Sequence, residues 1–160
     1  MKAVPKTNAA RQLDKAMITY EMRTYDCDGQ NFDGCLVADQ VGLAYASVYK
    51  TLVVMSPSGD IVVCLIPVDR KLDLKALAVA SGHKRLEMLP LDRINSVTGY
   101  LRGGCSPVGM KKLYPTFIDE AARSLEQISV SAGVRGMQML LCPEDLIRIT
   151  GATIGSFAMS

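Results

Sequence analysis

The sequence predicts an α/β fold: a mixed, largely antiparallel sheet with helices packed around it. Strand-like segments outnumber helical ones, and several adjoin through short turns, as antiparallel neighbours do. The regular βα alternation of a doubly wound parallel sheet is missing. The 160 residues suit one domain spanning 1–160 with one core. A chain of this length buries roughly 70% of the surface its unfolded form exposes, so it needs no disulfide or metal to hold its fold.

The elements follow in order. Thr7 or Asn8 can cap a first helix, with Leu13, Met17 and Tyr20 on its apolar side. MRTYD (22–26) reads as a strand. A short helix from Leu36 to Val41 stops at Gly42. YKTLVVM (49–55) and IVVCLIPV (61–68) are the strongest strand signals, and Ser56-Pro57-Ser58-Gly59-Asp60 between them has the chemistry of a hairpin turn. Asp73 can cap a helix running to Ala80, with Ser81-Gly82 as its stop. KRLEML (84–89) is a short strand, and Pro90 and Asp92 open another short helix. TGYLRGGCSPVGMKK (98–112) has neither period over most of its length. TFIDE (116–120), EQISVS (126–131) and MQMLLC (137–142) read as strands, with SAGVRG a turn between the last two. Pro143 suits a first helical position, Glu144 and Asp145 complement the helix dipole, and the helix ends near Gly151.

Composition narrows the function. A formal charge of +2 is not the signature of a protein that grips duplex DNA by charge. It still allows a few local cations to read one RNA end, and the candidates are Lys50, Lys84-Arg85, Arg102, Lys111-Lys112 and Arg135. The five cysteines contain no C-x-x-C pair and are odd in number, which argues against zinc ribbons and disulfide frameworks. Free thiols fit a reducing compartment. MKAVPKTNAARQLDKAM lacks an apolar signal core, and no apolar run reaches membrane-spanning length. The expectation is a soluble cytoplasmic protein without membrane, DNA, metal or cofactor partners.

The catalytic inventory is sparse. His83 is the one histidine, so any Ser-His-Asp or Cys-His mechanism must use it, and its SGHKR setting reads as a solvated turn. The stretch Gly104 to Lys111 misses the P-loop because Met110 stands where the lysine belongs, and GCSPV misses the nucleophile elbow at its last position. What remains is a tight turn or a loop whose Gly103 and Gly104 amides approach an anion or a carbonyl oxygen. Lys50 is either a strand-end lysine reaching to water or a cation at a pocket mouth, and the sequence leaves these even. Ser129 and Ser131 read as turn hydrogen-bonders, and Arg135 as a solvated turn residue or a phosphate ligand. Asp26/Asp28 and Glu144/Asp145 look like turn and helix-start acids rather than a glycosidase pair. Cys105 has no histidine near it in sequence and reads as a small buried hydrophobe.

TYDCD, YKTLVV, TGYLRGGCSPVGMKK and VSAGVRGMQM occur in the order that resembles the YbaK family of transfer-RNA editing proteins, relatives of the editing domain of prolyl-tRNA synthetases. The resemblance spans roughly Tyr20 to Gly151. It implies a single α/β domain, barrel-like in its sheet, with a pocket for the aminoacylated 3′ end of tRNA. It implies removal of cysteine from mischarged Cys-tRNA(Pro), and less selectively from Cys-tRNA(Cys). The substrate's own thiol attacks the ester and leaves as a cyclic thioester. Lys50 and the Gly104 loop are implied in the chemistry, and Tyr25, Thr51, Gly103 and Ser131 lie at the pocket. Ser106 and Arg135 complete the expected substrate-binding set. Cys27 stands where the family often has histidine, Gln138 where aspartate is common, and Cys105 at an aliphatic position. A prolyl-tRNA synthetase that presents the RNA is a further expected partner. Two other readings stay open: a water-mediated deacylase of another small aminoacyl-tRNA, and a non-catalytic module that binds RNA or a protein partner.

Overall fold

The computed structural model describes residues 6–27 and 33–160, so Asp28 of the paired acids lies outside the described residues. Helix α1 (Asn8–Lys15) is capped by the Thr7 hydroxyl, which accepts the Ala10 amide hydrogen at 3.1 Å. Leu13 is buried as expected, but Met17 is 91% exposed. The helix stops at Lys15, and Met17 turns the chain with φ 60°, so its side chain leaves the helical face and Ile18 enters the core instead. Tyr20 packs against that core from the first strand, β1 (Tyr20–Thr24), which starts two residues earlier than expected and ends before Tyr25.

The remaining elements are α2 (Gly34–Val41), β2 (Tyr49–Met55), β3 (Ile61–Pro67), β4 (Lys71–Leu72), α3 (Leu74–Ser81), β5 (Glu87–Met88), α4 (Ile94–Thr98), β6 (Thr116–Asp119), β7 (Ile128–Ser131), β8 (Met137–Leu141), α5 (Pro143–Thr150), β9 (Thr153–Gly155) and β10 (Ala158–Met159). Most match their sequence signals. Asp73 caps α3 by accepting the Ala76 amide hydrogen, and Gly42, Gly82 and Gly151 end α2, α3 and α5. The hairpin turn closes with the Ser56 amide on the Asp60 carbonyl and the Asp60 amide on the Ser56 hydroxyl, at 2.9 and 3.0 Å.

The strands form a five-stranded sheet in the order β5-β2-β3-β6-β9 and a three-stranded sheet in the order β1-β8-β7, with a separate β4–β10 pair. β2 pairs antiparallel with β3 and β5, β6 runs parallel to β3 and β9, and the second sheet is wholly antiparallel. The fold is thus α/β with a mixed, largely antiparallel arrangement. The described strands close no barrel. The two sheets meet at one parallel bridge, Val48 to Ser129, and then diverge.

β3 is buried on both faces, which explains its unbroken apolar run. One face joins Tyr49, Val53, Val63 and Leu65 to the second sheet and to Leu13 and Leu146. The other joins Val54, Val62 and Ile66 to Leu77, Phe117 and Phe157, whose rings meet edge to face at 5.7 Å. No described helix is long and apolar enough to cross a membrane.

Candidate active site

The divergence of the two sheets creates the site. β3 covers one edge of β2 along its whole length, whereas β5 covers the other only at Val54 and Met55. The Val48 carbonyl accepts the Val68 amide hydrogen beside β3, and the Val53 carbonyl accepts that of Leu89 on the opposite edge, at 2.9 and 3.0 Å. Backbone groups alternate in direction along a strand. Thr51 therefore aims its N–H and C=O at the uncovered edge, and a cavity of about 610 Å³ lies there. That volume is in the range of small-molecule sites.

Three further walls enclose it. Tyr25, Ser131 and Gln138 come from the second sheet and its margins. Arg102, Gly103 and Cys105 come from the glycine-rich loop. An apolar lip runs from Met88 to Ile94. Of the residues expected from the sequence, Lys50, Thr51, Tyr25, Gly103 and Ser131 line this one cavity.

Lys50 is half-buried and makes no ion pair among the described residues. Thr51 follows it, and the two residues line the cavity from opposite faces of β2. The Thr51 hydroxyl and the Tyr49 phenol are buried without a hydrogen-bond partner among the described residues. An unpaired buried hydroxyl costs about 1–3 kcal/mol, and both residues line the cavity. Burial, helped by the Asp119 charge, pushes the Tyr49 phenol far above its usual pKa, so it stays protonated and able to donate. Its hydroxyl was not anticipated from the sequence; alternation along YKTLVVM places it on the same face as Thr51.

The glycine loop is held by its own side chains. The Tyr100 hydroxyl donates to the Val108 carbonyl at 2.5 Å, and the Thr98 hydroxyl accepts the Tyr100 amide hydrogen at 3.0 Å. Gly103 takes φ 85°, a conformation that strains any residue with a Cβ. Gly104 is needed for space: a Cβ there would lie 2.9 Å from the Arg135 nitrogen and the Val134 carbonyl carbon. The Gly104 amide is already bonded to the Leu101 carbonyl at 2.9 Å. The donor role expected of it is therefore not open to it, while Gly103 and Cys105 on either side line the cavity.

Ser106 is fully buried outside the cavity wall, where its hydroxyl accepts the Val108 amide hydrogen at 3.2 Å. Arg135 also stands outside the wall. Its Nε donates to the Arg102 carbonyl at 2.7 Å and ties the 131–136 turn to the glycine loop. Burial pushes the Cys105 thiol up to about 11, with an opposing hydrogen bond to Thr98, so this cysteine is a poor nucleophile near neutral pH. His83 does not line the cavity, and its amide closes α3 on the Ala78 carbonyl. Among the described residues no three His, Cys, Asp or Glu gather as a metal site.

An α/β fold with a cavity at a splayed sheet, a lysine among its lining residues and a glycine loop opposite defines a ligand-binding protein with an enzyme-like site. The family described as the aminoacyl-tRNA editing domain matches residues 36–149, and the chain belongs to this family. A relative from Enterococcus faecalis (strain ATCC 700802 / V583), EbsC, named as a candidate Cys-tRNA(Pro)/Cys-tRNA(Cys) deacylase, is 41% identical over 157 residues, covering 98% of this chain and 94% of the relative. A solved structure of a candidate trans-editing enzyme for prolyl-tRNA synthetase superposes with a TM-score of 0.80 at 20% identity, over 98% of this chain and all of that one. The hypothetical protein APE2540 superposes with a TM-score of 0.85 at 18% identity, over 96% of this chain and all of its own. These two likenesses concern the fold.

Proposed function

We propose that the protein removes cysteine from mischarged Cys-tRNA(Pro), and less selectively from Cys-tRNA(Cys), with the substrate's thiol as the nucleophile. The observation that carries this reading is a cavity lined by Lys50, which forms no ion pair among the described residues, and by no described thiol or imidazole activated as a nucleophile. Cys105 is held as a thiol, and His83 stands elsewhere. The 41% identical relative bears a name with the same activity.

The cysteinyl sulfur loses its proton to solvent and attacks the ester carbonyl carbon. A C–S bond forms, the carbon–oxygen bond to the terminal ribose breaks, and the ribose oxygen takes up a proton. Free tRNA and a cyclic thioester of cysteine leave. Lys50 favours the thiolate, or the oxyanion that follows it, by charge. Thr51 and the amides of the glycine loop hold the carbonyl oxygen. Tyr25 and Ser131 shape the opposite wall. Gly104 acts by letting the loop pack on residues 134–135, and Arg135 and Ser106 act through the loop rather than by touching the substrate. A prolyl-tRNA synthetase that presents the RNA supplies the tRNA selectivity that a near-neutral chain lacks.

Deacylation of Cys-tRNA(Pro) and of its S-methylated form by the wild type tests this. Rapid release from the first and none from the second is expected. Equal release from both removes the thiol from the mechanism.

A further inference from the structure

The uncovered edge of β2 is one position long. Lys50 and Leu52 turn their backbone groups to β3, across from Ile66 and Cys64, so Tyr49, Thr51 and Val53 turn theirs the other way. Beside Tyr49 the parallel bridge of Val48 to Ser129 brings β7 to this edge, and at Val53 the Leu89 amide takes the carbonyl. Thr51 is left between them. Neither its N–H nor its C=O has a partner among the described residues, and the cavity opens there. Nearly all such groups in a folded protein find partners, and at a cavity a ligand supplies them. From Tyr49 to Val53 the strand advances roughly 13 Å, room for one residue-sized unit rather than for a further strand. An α-aminoacyl ester is such a unit. Its α-amino group donates, its ester carbonyl accepts, and one Cα lies between them, as in a residue of a strand. Two residues facing each other in an antiparallel pair exchange both bonds, N–H to C=O each way. The Thr51 hydroxyl can meet one group of a ligand, and the Ser131 hydroxyl already accepts the Gly133 amide hydrogen at 3.2 Å. The Thr51 backbone meets two groups at a spacing that an α-amino acid shares.

We propose that Thr51 reads the aminoacyl group through its main chain: its C=O accepts from the α-amino group and its N–H donates to the ester carbonyl oxygen. The substrate completes the missing rung of the ladder, and the site selects α-amino acids over thiol acids that lack the amino group. The inference rests on the reading of the site as a cysteinyl-tRNA deacylase and adds the groups by which the amino acid is held. Residues that face each other across a pair project to the same face of the sheet. The cysteinyl side chain therefore lies on the Thr51 side-chain face, beside its buried hydroxyl. The N–H strengthens its hold as negative charge builds on the carbonyl oxygen.

The experiment uses tRNA(Pro) charged with cysteine or with 3-mercaptopropionate, which keeps the thiol and the ester and lacks the amino group. Filter retention of the S-methylated forms gives a ratio of Kd values in which each protein is its own reference. The wild type should bind the amino form about tenfold tighter or more, the effect of one hydrogen bond to a charged group. Thr51→Val and Ser131→Ala remove side-chain acceptors and keep the backbone, so each should keep that ratio. The α-hydroxy counterpart of leucine at position 52 makes the Thr51 carbonyl an ester carbonyl, a weaker acceptor, and should bring the ratio to about threefold or less. The α-hydroxy counterpart of valine at position 51 replaces the N–H by oxygen. Its kcat/KM on Cys-tRNA(Pro) should lie about tenfold or more below that of Thr51→Val. Equal binding of the two forms by the wild type, a ratio lost in either side-chain variant, a ratio unchanged by the position 52 ester, or a position 51 ester as active as Thr51→Val overturns the proposal and leaves the deacylase reading intact. If an ester protein does not fold, the ratio in the wild type and the two side-chain variants decides. The expected ratios without cleavage of Cys-tRNA(Pro) by the wild type would refute the deacylase reading and uphold the backbone site.

Discussion

Two walls of the cavity face each other and are built in opposite ways. The β2 wall is a regular strand whose register with β3 runs unbroken from Tyr49–Pro67 to Met55–Ile61. The ladder fixes where every side chain and every backbone group points. The loop wall, from Gly99 to Lys111, has no ladder. Tyr100, Thr98, Ser106 and Arg135 brace it one bond at a time. The strand wall can therefore hold a charged side chain without help from ion pairs, whereas the loop wall commits the Thr98, Tyr100 and Ser106 hydroxyls to its own shape.

The sharpest way to break this comparison is Lys50→Ala. Lys50 forms no ion pair among the described residues, so the variant should keep its melting temperature. Its kcat/KM on Cys-tRNA(Pro) should fall by about two to three orders of magnitude, the usual cost of one transition-state donor. Steady-state deacylation and a thermal melt on the same preparation read both. Full activity would move the chemistry off the strand wall.

Next in size is the alkaline stability of the loop wall. Burial raises the Cys105 thiol from 9.0 to about 11. The unfolded chain therefore gives up this proton at lower pH than the folded one. The thiol's contribution is complete below about pH 9 and is lost as pH rises toward 11, about 2–3 kcal/mol in total. Urea unfolding at pH 8 and pH 10.5 should show a smaller drop in Cys105→Ala than in the wild type. An equal drop would place the sensitivity elsewhere.

A third test separates the two glycines that the loop needs for different reasons. In Gly104→Ala the new methyl meets backbone at 2.9 Å, which cannot swing aside as a side chain would. The loop must shift from residues 134–135 at a cost of about 1–3 kcal/mol. In Gly103→Ala the penalty is the φ of 85° itself, about 1–2 kcal/mol. Both should lower the melting temperature and activity together, unlike Lys50→Ala. A Gly104→Ala protein with the wild-type melt would show that the contact is not tight.

The contrast also explains what could be read from the sequence. The strand wall was legible because β3 is an unbroken apolar run and β2 a largely apolar one around turn residues; alternation sets Lys50 and Thr51 on opposite faces, and only the structure shows that both line a cavity. The helices were legible from Asp73, Pro143 and the glycines that stop them. β9 and β10 were not: three and two residues long, they are held by neighbours, as when the Asp119 carboxylate takes the Phe157 and Ala158 amides at 2.9 Å. Met17 misled because a helical period was extended past a helix that ends at Lys15. In the glycine loop the right residues stood out for partly wrong reasons. Sequence shows that Gly104 lacks a side chain but not that its amide is bonded to Leu101, nor that the Ser106 hydroxyl turns inward to Val108. The apolar lip from Met88 to Ile94 has no pattern of its own and becomes part of a site only through the divergence of the sheets.

Ser106 gives the smallest expected effect and the finest test of the two-wall picture. Its hydroxyl is fully buried and accepts the Val108 amide hydrogen at 3.2 Å, while Tyr100 holds the carbonyl of the same residue. Ser106→Ala removes the first bond and leaves a buried donor unpaired, at a cost of about 1 kcal/mol. Because Tyr100 still anchors Val108, the loop should keep its course and the Gly103 and Cys105 amides their positions. The variant should melt a few degrees lower and keep both kcat and KM. A rise in KM with an unchanged melt would instead put this hydroxyl in contact with the substrate, and the loop wall would then be offering a side chain after all.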